Sequence, residues 1–187
     1  MLYTMASYDR KIMTFADIHT HRRGIASSIY SAPPGEVAEI VTANALLPPE
    51  RQQYYSLQLH PWYLEEGFAD VARRYATDPH LVAIGECGLD ALCPTPMERQ
   101  LVAFRLALAT AQELQRPVII HCVRCWQEVI RECAAYDLPL KVIHGFRRGP
   151  DLAQQLLHAG FSLSLGERFH PDVPSLVPHD CLFHETD

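Results

Sequence analysis

Short apolar runs recur along the chain and alternate with segments whose apolar positions repeat at helical spacing. FADIHTH (15–21), YYSLQLHPW (54–62), HLVAIGECGLD (80–90), RPVIIHC (116–122), LPLKVIHGF (138–146), GFSLSLGE (160–167) and DCLFHETD (180–187) are rich in Val, Ile and Leu. Near-continuous apolar runs of this length read as parallel strands buried on both faces. An eighth strand is expected at EVAEIVTA (36–43), with GIASSIY (24–30) as the rival segment.

Helices are expected between the strands. In TPMERQLVAFRLALATAQELQ (95–115), Leu101, Phe104, Leu108 and Ala111 fall on one stripe, and Pro96 sits where a helix starts. LEEGFADVARRYAT (64–77), RCWQEVIRECAAY (124–136) and GPDLAQQLLHAG (149–160) follow the same logic, the last stopping at a glycine. Alternating strands and helices imply parallel strands joined by crossovers, and eight of them would close into a barrel. The expected fold is therefore α/β, a distorted TIM (β/α)8 barrel. The stretch 1–12 reads as an irregular tail and 13–187 as one domain.

The strand ends change the picture. In FADIHTH, Asp17, His19 and His21 alternate by two, so a regular strand would put them on one face. His-x-His alone is a weak signal. The other strands, however, also end in ionisable residues: His60, Glu86 with Asp90 beyond it, His121, His144 and Asp187. In a parallel barrel these ends share one rim, where active sites are built. His80, His158, His170 and His179 fall in loops or helices and read as surface residues. Imidazole with carboxylate suits divalent ions, and four histidines with two carboxylates suit a pair of ions about 4 Å apart. A remaining carboxylate would orient the attacking water or take its proton.

Charge and cysteine content narrow the chemistry. The net charge of −6 excludes a protein that coats long nucleic acid by overall attraction. Arginines nonetheless follow three rim histidines, as Arg22 and Arg23, Arg124, and Arg147 and Arg148. A local cationic pocket for a phosphate diester is expected there. The six cysteines, in a chain of 187 residues with no secretory or membrane-spanning pattern, read as reduced thiols in a cytoplasmic protein. Packing is the favoured reading of Cys122-Val-Arg-Cys125 over a redox or zinc role. For Trp62, packing is favoured over stacking on a base.

Taken in order, DIHTH, LHPW, IGECGLD, PVIIHC, VIHGF and ETD resemble the TatD family of metal-dependent hydrolases, part of the amidohydrolase-like barrels. The resemblance covers roughly 13–187. It implies that His19, His21, Glu86 and Asp187 hold one ion and that Glu86 bridges to a second held by His121 and His144. It further implies that Asp187 contacts the nucleophilic water and that His60 faces the substrate phosphate. Glu86 and Asp187 are then the catalytic candidates, and His60, Arg124 and Arg147 the substrate-binding ones.

The implied activity is that of a deoxyribonuclease acting on DNA ends or short single strands. It would need two divalent ions (Zn, Mn, Mg, Fe or Ni) and no membrane, and a monomer is favoured. The alternatives are an ester or amide hydrolase on the same metals, or a non-catalytic metal-binding remnant. This chain has HPW where the family commonly has HPH. Arg124 stands three residues after its histidine rather than two, and the chain ends at Asp187, where the family continues into a closing helix.

Overall fold

A computed structural model describes residue 12 and residues 14–187. Most of the stretch expected to be a tail, and Met13, lie outside the described residues. Ile12 is buried beneath the barrel with Ile18, Ile29 and Phe183.

Eight strands form one sheet in sequence order, every paired neighbour parallel. They are β1 Asp17–Thr20, β2 Ser28–Ala32, β3 Tyr54–Leu59, β4 Leu81–Asp90, β5 Val118–Val123, β6 Lys141–Ile143, β7 Ser162–Leu165 and β8 Leu182–His184. Five α-helices lie among the described residues: α1 Val37–Asn44, α2 Phe68–Arg74, α3 Met97–Leu114, α4 Trp126–Cys133 and α5 Pro150–His158. They follow β2 to β6 in turn. β1 and β7 lead into irregular connections instead, which is the distortion of this (β/α)8 barrel. Beyond β8, the Thr186 N–H donates to the His19 carbonyl at 3.3 Å and brings the two edges together.

One expected strand is corrected. Residues 37–44 are helix α1, and the rival segment supplies β2. Val37, Ile40 and Asn44 are the buried positions of α1, a spacing of three and four that matches a helix, while β2 is buried at every position. A helix needs one apolar stripe, whereas a strand between two neighbours under a helical layer needs both faces apolar or small.

The barrel is filled in layers. Ile18, Ile29, Val82, Ala83, Ile119, Val142 and Phe183 form an apolar floor. Alternation along each strand then places His121 two residues above Ile119, His144 above Val142 and Glu185 above Phe183. The outer layer is a larger apolar cluster between sheet and helices, in which Phe104, Leu108 and Ala111 of the predicted α3 stripe are buried, with Leu101 packed at its margin.

Two glycines let β4 carry its charged residue inward. Gly85 (φ +136°) and Gly88 (φ +152°) flank Glu86 and Cys87, and a Cβ at Gly88 would stand 1.9 Å from the His121 carbonyl oxygen. β4 and β5 therefore approach more closely than any side chain at that position would allow.

Candidate metal centre

Glu86 is the hub of the rim. It is buried, and its two carboxylate oxygens face different partners. Oε2 lies 3.2 Å from His19 Nε2 and 3.5 Å from His21 Nε2. Oε1 lies 2.6 Å from His121 Nδ1, 2.7 Å from His144 Nε2 and 3.1 Å from His60 Nε2. Asp187 joins the first group, its Oδ1 3.8 Å from His19 Nε2 and 3.5 Å from His21 Nε2. The six residues expected to bind metal thus meet at one mouth, and His60 stands as close to Glu86 as they do.

Electrostatics keep this hub charged. Burial alone would raise the Glu86 carboxyl, but the charge of His144 and the close approach of the His121, His144 and His19 rings hold it well below the usual carboxylate range. Burial would likewise lower His144, yet Glu86 and Glu185 together push it well above the ordinary imidazole value. His21 is raised chiefly by its hydrogen bond with Glu86.

The donor set fits divalent cations. Neither ring nitrogen of the fully buried His19 has a well-directed hydrogen bond, and the same holds for His144 Nδ1. Buried polar atoms without such partners are costly, and a cation among them would satisfy their lone pairs. Among the described residues, four groups of potential ligands have donor atoms within 4.8 Å of one another: His19–Glu86–His144, His19–His21–Asp187, His60–Glu86–His121 and His144–Glu185–Asp187. Neutral imidazole and carboxylate are the ligands that Zn, Mn, Fe and Ni accept.

Each of two histidines is gripped from behind by a carboxylate. His121 Nε2 lies 3.2 Å from Asp90 Oδ2, which also accepts the Trp62 indole N–H at 2.8 Å. Gln100, buried in α3, brackets Asp90 by accepting its N–H and donating to its carbonyl. His144 Nδ1 lies 3.4 Å from Glu185 Oε1. Such outer partners fix ring orientation at metal sites. Glu185 was not singled out in the sequence. The available signal was its place in ETD, two residues before Asp187 and so on the same side of the strand.

Other expected residues lie elsewhere. Asp17 does not share the face of His19 and His21. The register shifts within β1, and the Asp17 carboxylate accepts from the His19 N–H and from Thr186. Arg23 is bound to Glu36 and, at 3.1 Å, to Glu39, so its charge is spent away from the mouth. Arg124 is exposed at a left-handed position (φ 59°) and lines neither cleft at the mouth. His80 is not a free surface residue: its ring lies 2.9 Å from Asp78 and 2.8 Å from Gln52. Cys122 and Cys125 are buried free thiols.

Two clefts open beside the hub. One, of about 430 Å³, contains Glu86, His21, His60 and Tyr63; the other, of about 380 Å³, is bounded by Trp126, Arg147 and Arg148. His121, His144 and Asp187 line both.

The sequence model of the TatD related DNase family matches residues 39–187. The chain belongs to this family. The 3'-5' ssDNA/RNA exonuclease TatD of Erwinia amylovora (strain ATCC 49946) is 35% identical over 144 residues, covering 69% of this chain and 55% of that protein. The TatD exonuclease of Rahnella sp. (strain Y9602) is 35% identical over 127 residues, covering 62% of this chain and 48% of that protein. The chain spans about half the length of these curated relatives.

Among solved structures, the TatD homolog YJJV of Escherichia coli K12 superposes with a TM-score of 0.78 at 25% identity, covering 94% of this chain and 80% of that one. A TatD family hydrolase from Entamoeba histolytica shares the fold, with a TM-score of 0.71 at 19% identity over 93% of this chain and 73% of that one. Membership of the TatD family implies divalent metals, and the histidine–carboxylate groups of this chain offer donors for them. No described helix is long and apolar enough to cross a membrane.

Proposed function

We propose that residues 13–187 work as a single barrel domain that hydrolyses phosphodiester bonds at the ends of single-stranded nucleic acid, using two divalent ions. The observation that carries this reading is the division of the Glu86 oxygens between two ligand groups. His19, His21 and Asp187 would hold one ion and His121 and His144 the other, with Glu86 shared between them. Bound ions supply Lewis acidity and a water of lowered pKa.

The chain's own residues do the rest. Asp187, far more open to the mouth than the other carboxylate ligand Glu86, orients the water and takes its proton. His60, mostly buried beside Glu86, faces the substrate phosphate. Arg147 neutralises the diester's charge as it enters. The apolar floor beneath Glu86 keeps bulk water from the underside of the site. An acidic protein with a small cationic mouth suits strand ends rather than long duplex. The relatives named as 3'-5' exonucleases of single-stranded DNA and RNA support the same substrate class and a 3' start. The free cysteines support a reducing, cytoplasmic setting, and a monomer is the working form.

The test uses protein stripped with EDTA and reloaded with Mn²⁺, Mg²⁺ or Zn²⁺. Elemental analysis should give up to two ions per chain. Reloaded protein should hydrolyse bis(p-nitrophenyl) phosphate and shorten a single-stranded oligonucleotide from its 3' end. Failure to bind metal, or binding without hydrolysis of either substrate, overturns the proposal.

A further inference from the structure

The second cleft is larger than the metal ligands require. Its walls are the C-terminal end of β5, the first residue of α4, the loop after β6 and Asp187. Gly145 (φ +57°) turns the chain just past His144, so that Phe146 is buried and Arg147 and Arg148 stand exposed at the opening. Neither arginine forms an ion pair among the described residues, in contrast to Arg23. Of the described residues lining the two clefts, only these two carry a permanent positive charge. The third feature is Trp126, which lines the cleft while its indole packs edge-on against Phe146, with centroids 6.2 Å apart and planes at 73°. An aromatic plane held by its neighbour beside paired guanidinium groups is the composition of a single-strand nucleotide subsite.

The two clefts meet at His121, His144 and Asp187, so a bond positioned at those residues has one neighbour on each side. We propose that the cleft of Trp126, Arg147 and Arg148 is a second nucleotide subsite. It receives the nucleotide next to the one whose phosphodiester is cut, with its phosphate on the arginines and its base on Trp126. This rests on the nuclease reading above and adds that recognition extends past a single nucleotide. Stacking on an indole face is base-tolerant, because every base has a π-face.

The experiment measures binding by metal-free protein in EDTA, where nothing is cleaved. Tetrathymidylate and a tetramer of abasic sites with the same phosphates are titrated while tryptophan fluorescence is followed, in wild type and in Trp62→Phe, where Trp126 is the sole reporter. Tetrathymidylate should quench Trp126 and bind roughly 10-fold tighter than the abasic tetramer. Trp126→Leu should remove that preference and leave the salt dependence intact, and Trp126→Tyr should restore it. Arg147→Ala with Arg148→Ala should weaken both ligands and lower the slope of log affinity against log salt by about one to two, and the double lysine variant should recover the slope.

Unquenched Trp126, or variants that bind like wild type, overturns the second subsite. So does absence of binding by wild type. Hydrolysis of bis(p-nitrophenyl) phosphate by the reloaded wild type distinguishes that failure from failure of the nuclease reading.

Discussion

The Asp17 carboxylate accepts two hydrogen bonds from Thr186, one from the backbone N–H at 3.2 Å and one from the hydroxyl. This joins the first strand to the end of the last, across 169 residues of sequence. Thr20 Oγ1 adds a weaker bond to the Thr186 carbonyl at 3.4 Å. Thr186 precedes Asp187, so the clasp that closes the barrel also sets the position of a proposed metal ligand.

Asp17→Ala should therefore do two things. Losing a buried acceptor and leaving its donors unmatched should lower unfolding free energy by about 1–3 kcal/mol in urea titrations. Metal affinity should fall in the same protein, because Asp187 loses its anchor. Thr186→Val keeps the N–H bond and should cost only about 1 kcal/mol. Unchanged metal affinity in Asp17→Ala would show that Asp187 is held by something else.

Glu86→Ala removes the carboxylate whose two oxygens lie within 3.5 Å of both histidine groups. Metal content after dialysis should drop by at least one ion per chain, with hydrolysis of activated phosphodiesters lost together with it. Glu86→Gln should keep the shape but not the charge that His121, His144 and His19 stabilise, and should fall between wild type and Ala in metal affinity. A fully loaded Glu86→Ala protein would contradict the bridging role.

Gly88→Ala and Gly24→Ala separate crowding from backbone strain. A Cβ at Gly24 (φ +81°) meets nothing within 4 Å, so only the left-handed backbone resists it, at about 1 kcal/mol. A Cβ at Gly88 would collide with the His121 backbone. The β4–β5 pairing must open, and a loss of about 3 kcal/mol or more, or failure to fold, is expected by thermal unfolding. Equal effects of the two substitutions would refute the close strand approach.

The buried thiols make stability fall in alkali. Burial pushes Cys122 and Cys133 up to about 12, and Cys87 well above the usual thiol value. The unfolded chain ionises these groups near the ordinary thiol value of about 8.5–9, so it binds fewer protons than the folded state above that pH. Unfolding free energy should thus be unaffected by them below about pH 8 and decline between about 9 and 12. At pH 8 Ellman's reagent should modify Cys93 and Cys181, which are partly exposed, well before these three. Rapid oxidation of Cys122 with Cys125 in native protein would instead revive the redox reading.

Much of this was legible in the chain. Seven apolar runs read as strands, six of them ended by the ionisable residues His19 and His21, His60, Glu86, His121, His144 and Asp187, and that recurrence alone pointed to one shared rim. Local pattern failed where one stretch suited two elements. Residues 36–43 are apolar enough for a strand, but their buried positions repeat at helical spacing, and the less apolar SIYSA fits between β1 and β3.

The sequence by itself determined the strand–helix alternation and the types of donor at the strand ends, because periodicity and residue chemistry are local properties. Tertiary structure alone decided which oxygen of Glu86 faces which histidine, that Asp17 turns to Thr186 while Glu185 turns to His144, and that Arg23 is consumed by Glu36 while Arg147 and Arg148 stay free at the mouth. These are matters of distance between residues far apart in the chain, and closure of the barrel sets those distances.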